Sequence, residues 1–204
     1  NDVDGVVGDV WMEHGRIVAG PTDGRRADRT LDVTGMIVMP GGVDMHCHIA
    51  GPKVNAARKM RPEDKRNAEP IRRGPFTRSG TVGSVPSTFA TGYLYAGLGY
   101  TTAFDAAIPP IGARHTHEEF HDTPIIDKGF YVLMGNHHYI LKQAAAGEHE
   151  RLKACIAWLL NSTGGYACKL VNPGGVEVWK TTGGNAKSID DPVEHFNVSP
   201  RAVI

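Results

Sequence analysis

The sequence predicts an α/β fold with a parallel sheet, preceded by a small β unit. Three features carry that expectation. Before residue 41, short apolar runs flank Gly-containing turns, as antiparallel strands do. After residue 42, strand-like runs alternate with stretches of helical period, which is the order of βα units. Four such strands can be traced. A closed (β/α)8 barrel needs eight strands and roughly 250 residues, so the 204 residues supply about half of one.

In the first region, Asp9-Val-Trp-Met-Glu13 and Arg16-Ile-Val-Ala19 flank His14-Gly15, a two-residue hairpin turn. Thr30-Leu-Asp-Val33 and Met36-Ile-Val-Met39 flank Thr34-Gly35 in the same way, which predicts a second strand pair. Residues 1–40 thus read as a small β domain, and 41–204 as the α/β part. There the strands are expected at 43–48, 101–105, 129–134 and 166–171. Residues 50–88 show no clear period. Residues 86–98 read as a helix with Phe89, Tyr93, Leu94 and Leu98 on spaced positions. A polar stretch rich in His and Glu follows the second strand. Helices are expected at 138–146 and 149–163. The latter carries Leu152, Cys155, Ile156, Leu159 and Leu160 on one face, with Gly164-Gly165 as its stop.

Composition narrows the function classes. The 22 Lys plus Arg balance 22 Asp plus Glu, which disfavours a chain built around nucleic acid or an anionic membrane. No apolar run approaches the roughly 18 residues of a membrane span. Three Cys without an export signal point to a reducing, cytoplasmic setting. Asn1 is an unusual first residue and suggests an N-terminus further upstream.

His46-Cys47-His48 is the sharpest chemical feature. Residues i and i+2 of a strand share a face, so both imidazoles converge while Cys47 points away. Two neutral imidazoles at a strand's C-terminal end can hold Zn²⁺ or a similar ion. Lys169 lies in the apolar run Tyr166-Ala-Cys-Lys-Leu-Val171. A buried lysine is costly, and burial favours its neutral, nucleophilic amine. Such an amine can add CO₂ to form a carbamate able to bridge two cations. The plainer reading is a lysine that snorkels to water.

The Pro40-Gly41-Gly42 turn leading into Val43-Asp-Met-His-Cys-His48 resembles the amidohydrolase superfamily. That resemblance implies the first half of a (β/α)8 TIM barrel, with His46 and His48 as metal ligands at its mouth. It also implies that the fourth strand supplies a carboxylated lysine, here Lys169. Four further segments narrow the likeness: Ile49-Ala-Gly-Pro-Lys-Val-Asn55, Met60-Arg-Pro-Glu-Asp64, Asp127-Lys-Gly129 and Lys169-Leu-Val-Asn-Pro-Gly-Gly-Val-Glu177. They resemble the A subunits of formylmethanofuran dehydrogenase and of the bacterial formyltransferase/hydrolase complex. The implied reaction is hydrolysis, or reverse formation, of the formamide of N-formylmethanofuran, at two Zn²⁺ bridged by carboxylated Lys169. The implied partners are the other subunits of such a complex. The family's remaining metal ligands and a catalytic aspartate belong to strands expected beyond Ile204, so the isolated polypeptide is expected to be inactive and poorly folded. A cyclic-amide hydrolase of dihydroorotase or hydantoinase type is one competing reading. A catalytically dead barrel that serves as a scaffold is another.

Residues 53–78 hold nine Lys or Arg against Glu63, Asp64 and Glu69. Directly after the His-x-His strand, this excess is expected to steer an anionic substrate tail, with Lys53, Arg72 and Arg73 as substrate-binding candidates and Asn172 as another. A solvated loop or subunit contact is the alternative. His115, His117 and His121 with Glu118 and Glu119 lack a recognised metal spacing and read as a polar helix start or subunit surface. Asp105 and Asn136-His137-His138 follow strands on the same side as His48. One of them could contact substrate, although a helix cap by Asn136 is the simpler role.

Overall fold

A computed structural model describes residue 5 and residues 7–60, 86–171, 183, 188–193 and 195–204. The chain divides into two compact units, Asn1–Pro40 and Gly41–Ile204.

In the first unit, β1 (Trp11–Glu13) and β2 (Arg16–Val18) pair antiparallel. His14 and Gly15 between them both take positive φ, 50° and 74°, the backbone that lets a two-residue turn follow the strand twist. The second expected pair does not form. Thr34-Gly35 does turn, with the Met36 N–H on the Val33 carbonyl at 2.9 Å. Its flanks run without a ladder, and Leu31 and Ile37 are exposed. A lone hairpin with no covered apolar face is marginal in water.

The second unit is a curled four-stranded parallel sheet, half of a (β/α)8 barrel. Its strands are β3 (Gly42–Cys47), β4 (Tyr100–Ile108), β5 (Asp127–Leu133) and β6 (Ala167–Lys169), paired in that order. All four run parallel, so their C-terminal ends meet at one rim. Between them come α1 (Gly51–Met60), α2 (Thr88–Gly97), α3 (Ala113–His121), α4 (His138–Ala145) and α5 (His149–Thr163), and α6 (Pro200–Val203) closes the chain. Cys47, Ala103, Phe130, Val132 and Met134 from the sheet side join Phe120, Ile140 and Leu159 in one apolar core, with Leu152 and Ile156 packed against it. The other face carries an aromatic group: Phe104 stacks on Tyr131 with ring centroids 5.5 Å apart, and Tyr166 leans on both.

Two helices differ from expectation. The sequence shows no helical period over residues 50–60, yet α1 forms there. In α2 the buried residues are Ala90, Thr91 and Gly92, whereas Phe89 and Leu98 are exposed. The inward face is the small one because the chain after α3 crosses close by: a Cβ on Gly92 would collide with the Pro124 carbonyl oxygen. Ser87 caps α2, its hydroxyl accepting the Ala90 N–H at 3.2 Å. Helix α5 packs the face its period predicts and ends on Gly164 in the left-handed conformation. Among the described residues, no helix is long and apolar enough to cross a membrane.

Candidate metal centre

Strand β3 does not deliver its histidines by simple alternation. Asp44 lies opposite Ala103 and Cys47 opposite Asp105, so three steps on β3 face two on β4. This is a bulge, which re-aims the residues beyond it. Asp44 supplies the missing partner: its Oδ1 accepts the His46 N–H at 3.0 Å and its Oδ2 accepts the Tyr95 hydroxyl of α2 at 2.8 Å. Beyond the bulge, Cys47 turns into the helix-side core, its thiol 3.2 Å from the Phe104 carbonyl oxygen. Burial pushes that thiol up to about 12, so it stays protonated and inert. Its neighbours His46 and His48 turn the other way. Both are exposed, with ring centroids 5.8 Å apart and planes edge-on.

Strand β4 repeats the device one strand over. Asp105 lies opposite Phe130 and Ile108 opposite Val132, another bulge. Asp105 Oδ1 accepts the Ala107 N–H at 3.2 Å, again two residues on. The carboxylate is fully buried. Its Oδ2 accepts the N–H groups of Ile49 at 2.9 Å and Ala50 at 3.0 Å, and its Oδ1 stands 3.5 Å from Nδ1 of His48.

The following N–H, that of Gly51, goes to a second buried carboxylate, Glu119 Oε2 of α3, at 2.6 Å. Glu119 Oε1 also takes Asn55 at 2.7 Å and Arg58 Nη1 at 3.3 Å. Arg58 Nη2 in turn reaches the Ile49 carbonyl at 3.3 Å. The loop after His48 is therefore fixed at every backbone N–H from Ile49 to Gly51.

Lys169 pairs in register with Leu133 on β5. The preceding β5 residue, Val132, is in the helix-side core. Alternation then puts Leu133 and Lys169 on the face of Tyr131, turned away from the helices. Lys169 is half-buried. It shares the rim with His46 and His48 across the width of β4 and β5, about 14 Å of sheet at ~4.8 Å per strand step. Lys53 is exposed in the first turn of α1. Arg72, Arg73 and Asn172 lie outside the described residues.

Three expectations need correction. Arg58 belongs to the basic stretch expected to steer substrate. It is buried, and its guanidinium is committed to Glu119, Asn55, Ile49 and Pro86. Glu119, which the sequence places on a polar surface, is the buried partner of that arginine. Asn136 was expected to cap the next helix, but the N-cap of α4 is His137. The histidines of α3 do not converge on an ion: His117 Nε2 lies 2.8 Å from the Thr163 carbonyl oxygen and His115 pairs with Glu118 at 3.8 Å. Among the described residues, no group of three or more His, Cys, Asp or Glu is placed to hold a metal.

Among the described residues, the candidate metal donors at the rim are two imidazoles and one amine. The imidazoles suit a zinc-like ion, and His48, with a carboxylate behind Nδ1, has the outer partner typical of a ligating histidine. Lys169 becomes a comparable donor only as a carbamate. Sequence reasoning leaves Asp105 without a definite role. The signal it carries is its place one strand from the His-x-His motif, which has no meaning until the strand order is known.

A curled parallel sheet presenting imidazoles and a lysine on its helix-free face has the architecture of a barrel hydrolase. Residues 29–204 match the amidohydrolase family, and the chain belongs to that family. It is 45% identical to protein FwdA of Methanocaldococcus jannaschii over all 204 residues. It is 36% identical to the A component of the formyltransferase/hydrolase complex Fhc of Methylorubrum extorquens over 97% of its length. The chain spans 35% of the length of each of these relatives. The crystal structure of the FhcABCD complex from Methylorubrum extorquens with methylofuran contains a chain that superposes with a TM-score of 0.81 at 34% identity, covering 96% of this chain and 35% of that one.

Proposed function

We propose that this chain forms the first half of the barrel in the hydrolytic subunit of a cytoplasmic one-carbon complex. The complex would be a formyltransferase/hydrolase or a formylmethanofuran dehydrogenase, and the substrate the formamide of an N-formylated furan carrier such as N-formylmethanofuran. The supporting observation is that likeness to FwdA is not confined to the His-x-His motif but extends over all 204 residues. The similar chain belongs to an FhcABCD complex solved with methylofuran, which supports the substrate class.

In this reading His46 and His48, together with Lys169 as its carbamate, would be the residues of this chain that hold zinc. The bound metal supplies Lewis acidity towards the formyl oxygen and a water that ionises near neutral pH. The chain's own residues hold the donors still: Asp44 and Asp105 fix the two bulges, while the Glu119–Arg58 pair anchors the start of α1 and touches none of the donors. Water adds to the formyl carbon, the C–N bond breaks, and formate and the free amine leave. The proton to the amine would come from an acid on a later strand. Lys53, Arg72, Arg73 and Asn172 are the residues proposed to meet the substrate.

The test is zinc analysis and formate release in the full-length subunit within its complex. Wild type should carry about two zinc ions per subunit, and Lys169→Ala should lose zinc together with formate release. A metal-free wild type would identify the barrel as a scaffold. Zinc without formate release from N-formylmethanofuran would point instead to a cyclic amide as substrate.

A further inference from the structure

Asp105 accepts three backbone N–H groups and stands 3.5 Å from a fourth nitrogen, and these contacts divide into two jobs. Oδ2 takes the Ile49 and Ala50 N–H groups, which anchors the loop. Oδ1 takes the Ala107 N–H and faces Nδ1 of His48. The first job is shared with Glu119, which holds the same loop at Gly51 without touching His48. The second belongs to Asp105 alone among the described residues. We infer that Asp105 is a positioning residue for His48: it holds the imidazole as the Nδ1–H tautomer and leaves the Nε2 lone pair free for the metal. This rests on the metal-site reading above.

The chemistry is specific to a carboxylate. A neutral imidazole carries one proton on one nitrogen, and an acceptor at Nδ1 keeps it there. An asparagine at 105 has one acceptor and one donor end. With its oxygen towards Ile49 and Ala50, its NH₂ confronts the Ala107 N–H and faces His48, where it donates to Nδ1 and moves the ring proton to Nε2, blocking ligation. With the oxygen towards His48, the NH₂ confronts two backbone N–H groups and the loop loses its anchor.

The experiment compares Asp105→Asn with Glu119→Gln in the full-length subunit, measuring zinc affinity by competition with a chromophoric chelator. The positioning role predicts zinc affinity about 10- to 100-fold weaker in Asp105→Asn, with Glu119→Gln close to wild type although its α1 is less protected from exchange. If both variants lose zinc alike, Asp105 is only a loop anchor and the inference fails. Wild-type affinity in Asp105→Asn also overturns it. A second measurement needs no stable variant at 105. In ¹⁵N-histidine-labelled apo wild type, the His48 signals, assigned by their loss in His48→Gln, should show the Nδ1–H form, and an Nε2–H form contradicts the inference. If wild type binds no zinc, both the metal-site reading and this inference fall. If it binds zinc and Asp105→Asn matches it, only this inference falls.

Discussion

Helices α1 and α5 flank the same sheet by opposite means. Helix α5 rests on an apolar stripe, Leu152, Cys155, Ile156, Leu159 and Leu160 against the core. Helix α1 buries only Gly51 and Arg58. It is held by Glu119 through its first N–H, through Asn55 and through Arg58. The stripe is tolerant, since apolar burial is non-directional. The polar clamp is not, since each buried charge depends on its partner. The tolerant contact lies in the apolar core and the exacting one beside the candidate metal ligands.

The sharpest way to break this comparison is Glu119→Ala. It strands the Arg58 guanidinium in a site where only 7% of that side chain is exposed and orphans the Gly51 N–H. Removing one partner of a buried pair costs roughly 3–5 kcal/mol. In the full-length subunit, hydrogen exchange over α1 should then speed up by about two to four decades, while α5 keeps its protection. Equal loss in both helices would show that they form one cooperative unit and that the clamp is not local.

The same contrast explains what can be read from the sequence. Helix α5, its face and its stop are all visible there, because an apolar stripe writes a 3.6-residue period into the chain. Helix α1 is invisible, because its anchor is one arginine and a glutamate 61 residues away. The Phe89 face of α2 misleads for a related reason: close backbone approach selects small residues, and period rules weigh large ones. The strand positions and His46, His48 and Lys169 stand out locally, whereas Asp105 and Glu119 acquire meaning only once β3, β4 and α3 are neighbours. The bulges are hidden too, since Asp44 and Asp105 complete them through N–H groups that any residue could carry.

Leu159→Ala tests the tolerant side. Leu159 is 4% exposed in the core, and truncating a buried leucine costs about 2–4 kcal/mol once the cavity is counted. Exchange should rise over α5 and β5, and zinc content of the full-length subunit should stay at wild-type level. Loss of zinc in this variant would mean that the apolar side also sets the rim, and the division between the two helices would disappear.

A smaller effect separates polar burial with partners from polar burial without them. Arg58 is buried and fully engaged. His137, the N-cap of α4, has its Nδ1 buried with no hydrogen-bond partner among the described residues. Burial, with a smaller contribution from neighbouring His138, holds this imidazole below its ordinary value of 6.5. The folded state therefore favours the neutral ring, while the unfolded segment takes up a proton near 6.5. Stability is full above that pH and is lost as pH falls from 6.5 towards the lower folded value, where the loss is complete. Protection of the α4 amides, corrected for intrinsic exchange, should thus decline as pH falls through about 6.5. His137→Gln, which does not titrate, should remove that decline, and the α1 amides, which His137 does not touch, should show no comparable trend. A slope in α4 that survives His137→Gln would assign the proton uptake to another group and leave the unpartnered imidazole without energetic consequence.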